Sequence, residues 1–249
     1  MIKRTGILLC GGVGSRLGQI TKAIPKSLVP VYNKPLVDYQ LELFRDMGVK
    51  DVVIITRPDT SELFKNYLYN YSDWTKHFVY IAVEEQPKPE GIAQAYVLAR
   101  KFVPEGQSTV LGLGDNIFYF TNPNEKERFI DAVKNTDNMI TTFKVQDPRP
   151  YGVVKYEDGK IVDVVEKPQD PPSNEIIPGL YFFDHSAFEK VKNLQPSSRG
   201  ELEITDLQRL YIREGKLSAF KFESVFWYDC GTVEDLLDAN NFMHIIGGR

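Results

Sequence analysis

Apolar residues in this chain fall into short unbroken runs separated by stretches with helical spacing, a pattern that predicts a layered α/β protein. Thr5-Gly6-Ile7-Leu8-Leu9-Cys10, Asp51-Val52-Val53-Ile54-Ile55-Thr56 and Ser108-Thr109-Val110-Leu111-Gly112-Leu113 show little polar alternation, so each reads as a strand covered on both faces. Between the first two, Val37, Leu41 and Phe44 recur at helical spacing behind Pro35 and ahead of Gly48, which predicts a helix with those ends. Strand, helix and strand in that order make a βαβ unit, so the sheet starts parallel.

Later runs extend the pattern. Strands are expected at 78–83, 139–145, 177–183 and 217–222, and helices at 92–102, at 124–135, around Phe188 and Val191, and ahead of Gly215. Asp59 with Glu62, and Thr232 with Asp235, have the spacing of capping pairs for a helix through Tyr67 and for a terminal helix. The segment 151–156 and the segment 160–165 flank Glu157-Asp158-Gly159, a hairpin signal that predicts an antiparallel insertion. Pro168-Gln169-Asp170-Pro171-Pro172-Ser173 reads as a mobile rim loop, not an interdomain linker.

With 249 residues there is ample chain for one large α/β domain. A formal net charge of -4 with no basic run argues against nucleic acid as a partner. No stretch approaches the roughly 18 unbroken apolar residues of a membrane span, so a cytoplasmic protein is expected. Cys10 and Cys230 are the only cysteines and the 3 histidines are scattered, which leaves no disulfide framework and no thiolate or imidazole metal cage.

The densest chemistry follows the first strand. Gly11, Gly12 and Gly14 can take positive φ and bring backbone N–H groups close to a ligand, which suits phosphate oxygens, and Arg16 and Lys26 supply fixed positive charge. Two familiar phosphate motifs are excluded: Leu17 occupies the third glycine's place of a dinucleotide fingerprint, and no Gly-Lys-Ser/Thr of a P-loop is present. Other candidates are Gln86, an amide able to read a base edge, and Gly91, both in the loop after the third strand. Asp115 ends the fourth strand, where a lone carboxylate could share a Mg²⁺ ion with phosphate oxygens.

Gly11-Gly12-Val13-Gly14-Ser15-Arg16-Leu17, followed by Pro25-Lys26-Ser27-Leu28-Val29-Pro30, resembles the signature of the sugar nucleotidylyltransferases, and the glucose-1-phosphate thymidylyltransferase subgroup within them. The resemblance runs from about Gly6 to about Phe242. It implies a nucleotide-diphospho-sugar transferase fold: a Rossmann-like, mostly parallel but mixed sheet flanked by helices, with an antiparallel sugar-binding insertion. In this single domain, 1–145 would mainly bind nucleotide, 146–226 sugar phosphate, and 227–249 would supply a second metal aspartate and the terminal helix.

The resemblance also implies site roles. Gly11, Gly12, Gly14, Ser15, Gln86, Gly91 and Asp115 would bind a nucleoside triphosphate, with Arg16 and Lys26 catalytic. Asn116, Tyr151, Gly152, Glu166, Lys167, Gly179, Tyr181, Arg199 and Trp227 would bind glucose 1-phosphate, and Asp115 with Asp229 would hold Mg²⁺. The expected reaction is attack of the sugar phosphate on dTTP, giving dTDP-glucose and pyrophosphate, by a homo-oligomer. Two departures matter. Ser27 stands where thymidylyltransferases place Gln, which keeps UTP and CTP open as alternatives, and Cys230 replaces the usual Thr. The sequence stops soon after Phe242, ahead of the helices that build an allosteric site in longer members, so feedback is not expected. The alternative of another class is a nucleotide-sugar-binding regulator without turnover.

Overall fold

Strand formation follows the unbroken apolar runs. A computed structural model describes residues 2–247. Its first strands are β1 (Arg4–Leu9), the short pair β2 (Pro30–Val31) and β3 (Lys34–Pro35), β4 (Asp51–Thr56), β5 (Tyr80–Glu85), β6 (Ser108–Leu113) and β7 (Asn116–Phe120). The later ones are β8 (Met139–Lys144), the hairpin β9 (Gly152–Glu157) and β10 (Lys160–Glu166), β11 (Glu175–Ile176), β12 (Leu180–Phe183), β13 (Ser218–Lys221) and β14 (Val225–Asp229). The α-helices are α1 (Ile20–Ala23), α2 (Leu36–Asp46), α3 (Ser61–Asn66), α4 (Trp74–His77) and α5 (Ile92–Leu98). They continue with α6 (Pro123–Asn135), α7 (Ala187–Val191), α8 (Ile204–Arg213) and α9 (Val233–Gly247).

A ten-stranded mixed sheet in the order β10-β9-β11-β8-β12-β6-β1-β4-β5, with β13 beside β8, forms the centre. The strands β5, β4, β1 and β6 are parallel neighbours, so the ends of all four open on the same edge. From β12 toward the hairpin the pairings turn antiparallel, while β13 runs parallel to β8. A separate antiparallel ribbon, β7 with β14, sets Asp229 opposite Asn116.

Helices cover both faces. Val37, Leu41 and Phe44 of α2 and Phe129 of α6 pack on Leu8, Val52, Ile54 and Val110. Ala93 and Tyr96 of α5, Phe188 of α7 and Leu207 and Tyr211 of α8 pack on the alternate residues Ile7, Val53, Ile55 and Leu111. Each strand thus divides its apolar side chains between two cores, which is why the runs carry no polar alternation. The third cluster joins α9 to the first loop through Leu17, Val31, Leu36, Leu236, Ala239 and Met243. Among the described residues no helix is long and apolar enough to cross a membrane.

Several expectations shift. The third strand begins at Tyr80, because Phe78 is buried and stacks on Trp74 at the end of α4, ring centroids 5.8 Å apart. Asp59 does not cap α3: both its carboxylate oxygens accept from Arg57 at 2.9 Å, and Thr60 holds the cap position without a side-chain bond. The expected strand 177–183 begins only at Leu180, as β12, because the chain turns at Gly179, where φ is 58°; the short β11 ends at Ile176, ahead of it. The aromatic run after Asp115 is the strand β7, which sequence reasoning passed over. The Thr232–Asp235 pair does cap α9, with hydroxyl to carboxylate at 2.7 Å and the Asp235 N–H to Thr232 Oγ1 at 3.1 Å.

Phe44 explains two strand glycines. A Cβ on Gly6 would stand 2.6 Å from its ring, and one on Gly112 3.1 Å away, so α2 lies close on β1 and β6 only because those side chains are missing. Phe44→Ala is therefore expected to cost about 3–5 kcal/mol in urea unfolding followed by circular dichroism. A loss under about 1 kcal/mol would show that this helix–sheet contact is not tightly packed.

Candidate active site

The open edge of β5-β4-β1-β6 carries the chemistry. Backbone hydrogen bonds continue past the strand ends: Cys10 N to Ile55 O at 2.7 Å, Gln86 N to Thr56 O at 2.7 Å and Gly114 N to Leu9 O at 2.8 Å. They bring the glycine turn, the Gln86 loop and the Gly114-Asp115 loop side by side. Gly14 has φ 69° and begins a 3-10 turn over Ser15–Leu17, and its carbonyl accepts from Thr21 Oγ1 at 2.8 Å. Leu17 is buried beneath the turn while Ser15 and Arg16 face out. A Cβ on Gly12 would meet nothing within 4 Å, so that position leaves open space above the turn.

Three charged groups meet below it. Lys26 is buried, with Nζ 2.5 Å from Asp115 Oδ2 and 3.9 Å from Asp229 Oδ1. Gly114 lets the Asp115 loop descend, since a Cβ there would overlap Cys10 Sγ. Cys10 is thus a small packing residue, and burial pushes its thiol up to about 12. On the other side, the β7–β14 ribbon places Asp229 against the same lysine, and Cys230 N donates to Asp115 O at 3.0 Å.

With two carboxylates and one lysine, the cluster holds a net negative charge out of bulk water. Burial first, and repulsion from Asp115 second, push the Asp229 carboxyl up to about 6, against the pull of Lys26 and Arg16. This oxygen-rich donor set fits a hard divalent cation that takes its remaining ligands from phosphate and water. Among the described residues no group of three or more His, Cys, Asp or Glu could hold a metal ion, so Asp115 and Asp229 are the pair to consider.

Two cavities meet at Asp115. The smaller, about 260 Å³, is lined by Gly11, Gly12, Gln86, Gly91 and Asp115. Gln86 is buried although it lies in a loop. Gly91 has φ 107°, and a Cβ there would overlap Leu202 O, so its glycine is required by an approaching backbone. The larger cavity, about 480 Å³, contains Arg16, Asn116, Tyr151, Gly152, Glu166, Lys167, Gly179, Tyr181, Trp227 and Asp229 as well as Asp115.

A hydrogen-bonded chain stiffens the junction. Trp227 Nε1 donates to Asn116 Oδ1 at 2.6 Å, and Asn116 Nδ2 donates to Asp115 Oδ1 at 2.9 Å. Tyr151 packs edge-on against Trp227 at 5.3 Å between centroids. Lys167 sits in the left-handed region at φ 42°, a strained conformation for a side-chain-bearing residue, held where its N–H donates to Tyr151 O at 3.0 Å. Burial and then Glu203 push the Glu166 carboxyl upward, while Lys167 and Arg199 oppose them. Arg16 packs over Gly231, where a Cβ would stand 2.6 Å from its Nη2, and forms no ion pair among the described residues.

Not every expected residue reaches a cavity wall. Gly14 and Ser15 shape the turn but line neither cavity. Arg199 also stands back: its guanidinium donates to Glu203 at 2.8 Å and lies 3.4 Å from Glu166, so it braces the wall. Ser27 is buried beside Gly114, outside both linings. Sequence reasoning missed Thr205 and Gln208 on α8, which line the larger cavity. Their signal was a polar interruption in the apolar face of Ile204, Leu207 and Tyr211, and the Gln208 amide has no hydrogen-bond partner on either atom.

Comparison with known proteins places the chain. The family model described as Nucleotidyl transferase matches residues 5–245. A glucose-1-phosphate thymidylyltransferase of Xanthomonas campestris pv. campestris is 40% identical over 100% of this chain and 83% of its own length. One from Neisseria gonorrhoeae is 38% identical over 97% of this chain and 83% of its own. A Bacillus anthracis protein described as a glucose-1-phosphate thymidylyltransferase, solved with sucrose, superposes with TM-score 0.84 at 33% identity, covering 97% of this chain and 95% of that one. A UDP-glucose pyrophosphorylase complexed with UDP-glucose gives TM-score 0.85 at 25% identity, covering 100% of both chains. The chain belongs to the nucleotidyl transferase family.

Proposed function

We propose that this enzyme transfers a thymidylyl group from dTTP to glucose 1-phosphate, giving dTDP-glucose and pyrophosphate, in the cytoplasm. The observation that carries this reading is the meeting of Asp115, Asp229 and Lys26 where a glycine-walled cavity opens into one lined by Glu166, Lys167 and Tyr181. Triphosphate in the first and sugar phosphate in the second would bring attacking oxygen and α-phosphorus together at that junction.

The attacking phosphate oxygen is already an anion, so no general base is required and the barrier is set by alignment and charge. Lys167, held in its strained backbone conformation, binds the incoming sugar phosphate. Lys26 lies beside the α-phosphate and steadies its growing negative charge. Arg16, free of carboxylate partners among the described residues, takes the departing pyrophosphate. Glu166 accepts hydrogen bonds from sugar hydroxyls, and Tyr151 with Trp227 shields the junction from water. Asp115 and Asp229 would hold Mg²⁺, which when bound supplies charge neutralisation between the two phosphate groups.

UTP is the second nucleotide to test, since the UDP-glucose pyrophosphorylase shares the fold over the full chain. Pyrophosphate release with a panel of triphosphates and glucose 1-phosphate is expected to be fastest with dTTP. Binding of dTDP-glucose with no turnover of any triphosphate would instead support a regulator.

Two variants test the junction. Asp115→Asn and Asp229→Asn are each expected to lower kcat about a hundredfold or more, by loss of a transition-state contact. Retention of full Mg²⁺-dependent turnover would remove these residues from the metal site. Asp229→Asn carries a second signature, because a carboxyl whose pKa is raised from 3.8 to about 6 on folding loses stability as pH rises through that window. The ligand-free variant should melt above the wild type at pH 8, with the gain shrinking toward pH 4; an equal or lower melting point at pH 8 would contradict the raised pKa.

A further inference from the structure

The smaller cavity contains an amide whose direction is fixed by its surroundings. Gln86 Nε2 donates to Gln94 Oε1 at 2.6 Å and faces Gly91 O at 3.4 Å. A backbone carbonyl can only accept, so the group turned toward Gly91 and Gln94 must be the NH₂ end. The other end, Oε1, then points back over the glycine turn, where a Cβ on Gly11 would lie 2.9 Å from it. Among the described residues this oxygen accepts no side-chain hydrogen bond, and it belongs to a buried side chain on the wall of that cavity. Gln94 is part of the first turn of α5, a position its neighbours Ala93 and Ala95 fix by packing into the core.

We propose that Gln94 is a positioning residue for base choice: it pins the Gln86 amide so that the site offers a fixed acceptor, selecting bases that present a ring N–H. This rests on the nucleotide occupying that cavity, as in the proposed function. Thymine and uracil carry N3–H and satisfy the acceptor. Cytosine presents a bare N3 lone pair to it, so the two acceptors oppose one another and both lose a partner. Discrimination against CTP therefore does not depend on Ser27, which lies outside both linings. It depends on what keeps the amide from rotating.

The test is the ratio of kcat/KM for dTTP to that for CTP, measured by pyrophosphate release in the wild type, Gln94→Glu, Gln94→Met and Gln94→Lys, with melting points recorded alongside. A cost of about 1–3 kcal/mol for leaving a polar group unpaired converts to a wild-type ratio of about 5- to 150-fold. Glu accepts as Gln does and should keep the ratio. Met offers no acceptor and Lys only donors, so in either variant the ratio should fall about tenfold while KM for glucose 1-phosphate stays put. An unchanged ratio in whichever of these two folds, or a wild type that uses CTP as well as dTTP, would overturn the proposal. If no triphosphate turns over at all, the functional reading fails separately. The ratio of Kd values for dTTP and CTP, measured by calorimetry in the same variants, then decides the role of Gln94: a fall in Gln94→Met or Gln94→Lys supports it and an unchanged ratio overturns it.

Discussion

Like charges held together out of water set the terms for this structure. Asp115 and Asp229 approach the same lysine, and Lys26 at 2.5 and 3.9 Å offsets only part of their repulsion. Taking charges from water costs several kcal/mol per ion, and pairing returns that only when the geometry is good. The raised pKa of Asp229 is the consequence of that imbalance. A site left electrostatically short of positive charge is poised for a cation and for the cationic side chains that accompany phosphate.

Much of the surrounding fold keeps the cluster assembled. The β7–β14 ribbon carries Asp229 across from Asn116, and the turn before β14 is tied down by Glu125, whose carboxylate accepts from Glu223 N at 2.6 Å and Ser224 N at 2.8 Å. Gln40 of α2 donates to Asn116 O at 2.9 Å, linking the helix over β1 to the same ribbon. Glycine does the rest by omission: Gly6 and Gly112 admit Phe44, and Gly114 admits Cys10. The Phe44 contact at one face of the sheet and the carboxylate pair at its edge are therefore parts of one arrangement.

Legibility from sequence followed the range of the interactions. The strands at 51–56 and 108–113, helix α2 and the α9 cap were readable because each is decided by local periodicity or a three-residue capping pair. The sheet's parallel start was readable for the same reason. Asp59 misled because a cap and a tight pair with Arg57 have the same sequence appearance. The ribbon strand β7 was missed since its partner lies far along the chain, at β14, and only that pairing reveals why an aromatic run follows Asp115. For the site, resemblance supplied the residues and the fold supplied their grouping. Gln94 and Gln208 carry no motif, and their interest lies in hydrogen bonds made or left unmade, which spacing along the chain does not encode.

The most direct measurement is a crystal structure with dTDP-glucose bound in the presence of Mg²⁺. The diphosphate is expected at the junction beside Asp115 and Asp229, with the base against Gln86 and the hexose against Glu166. A diphosphate lying outside that junction, with both carboxylates free of it, would contradict the central claim.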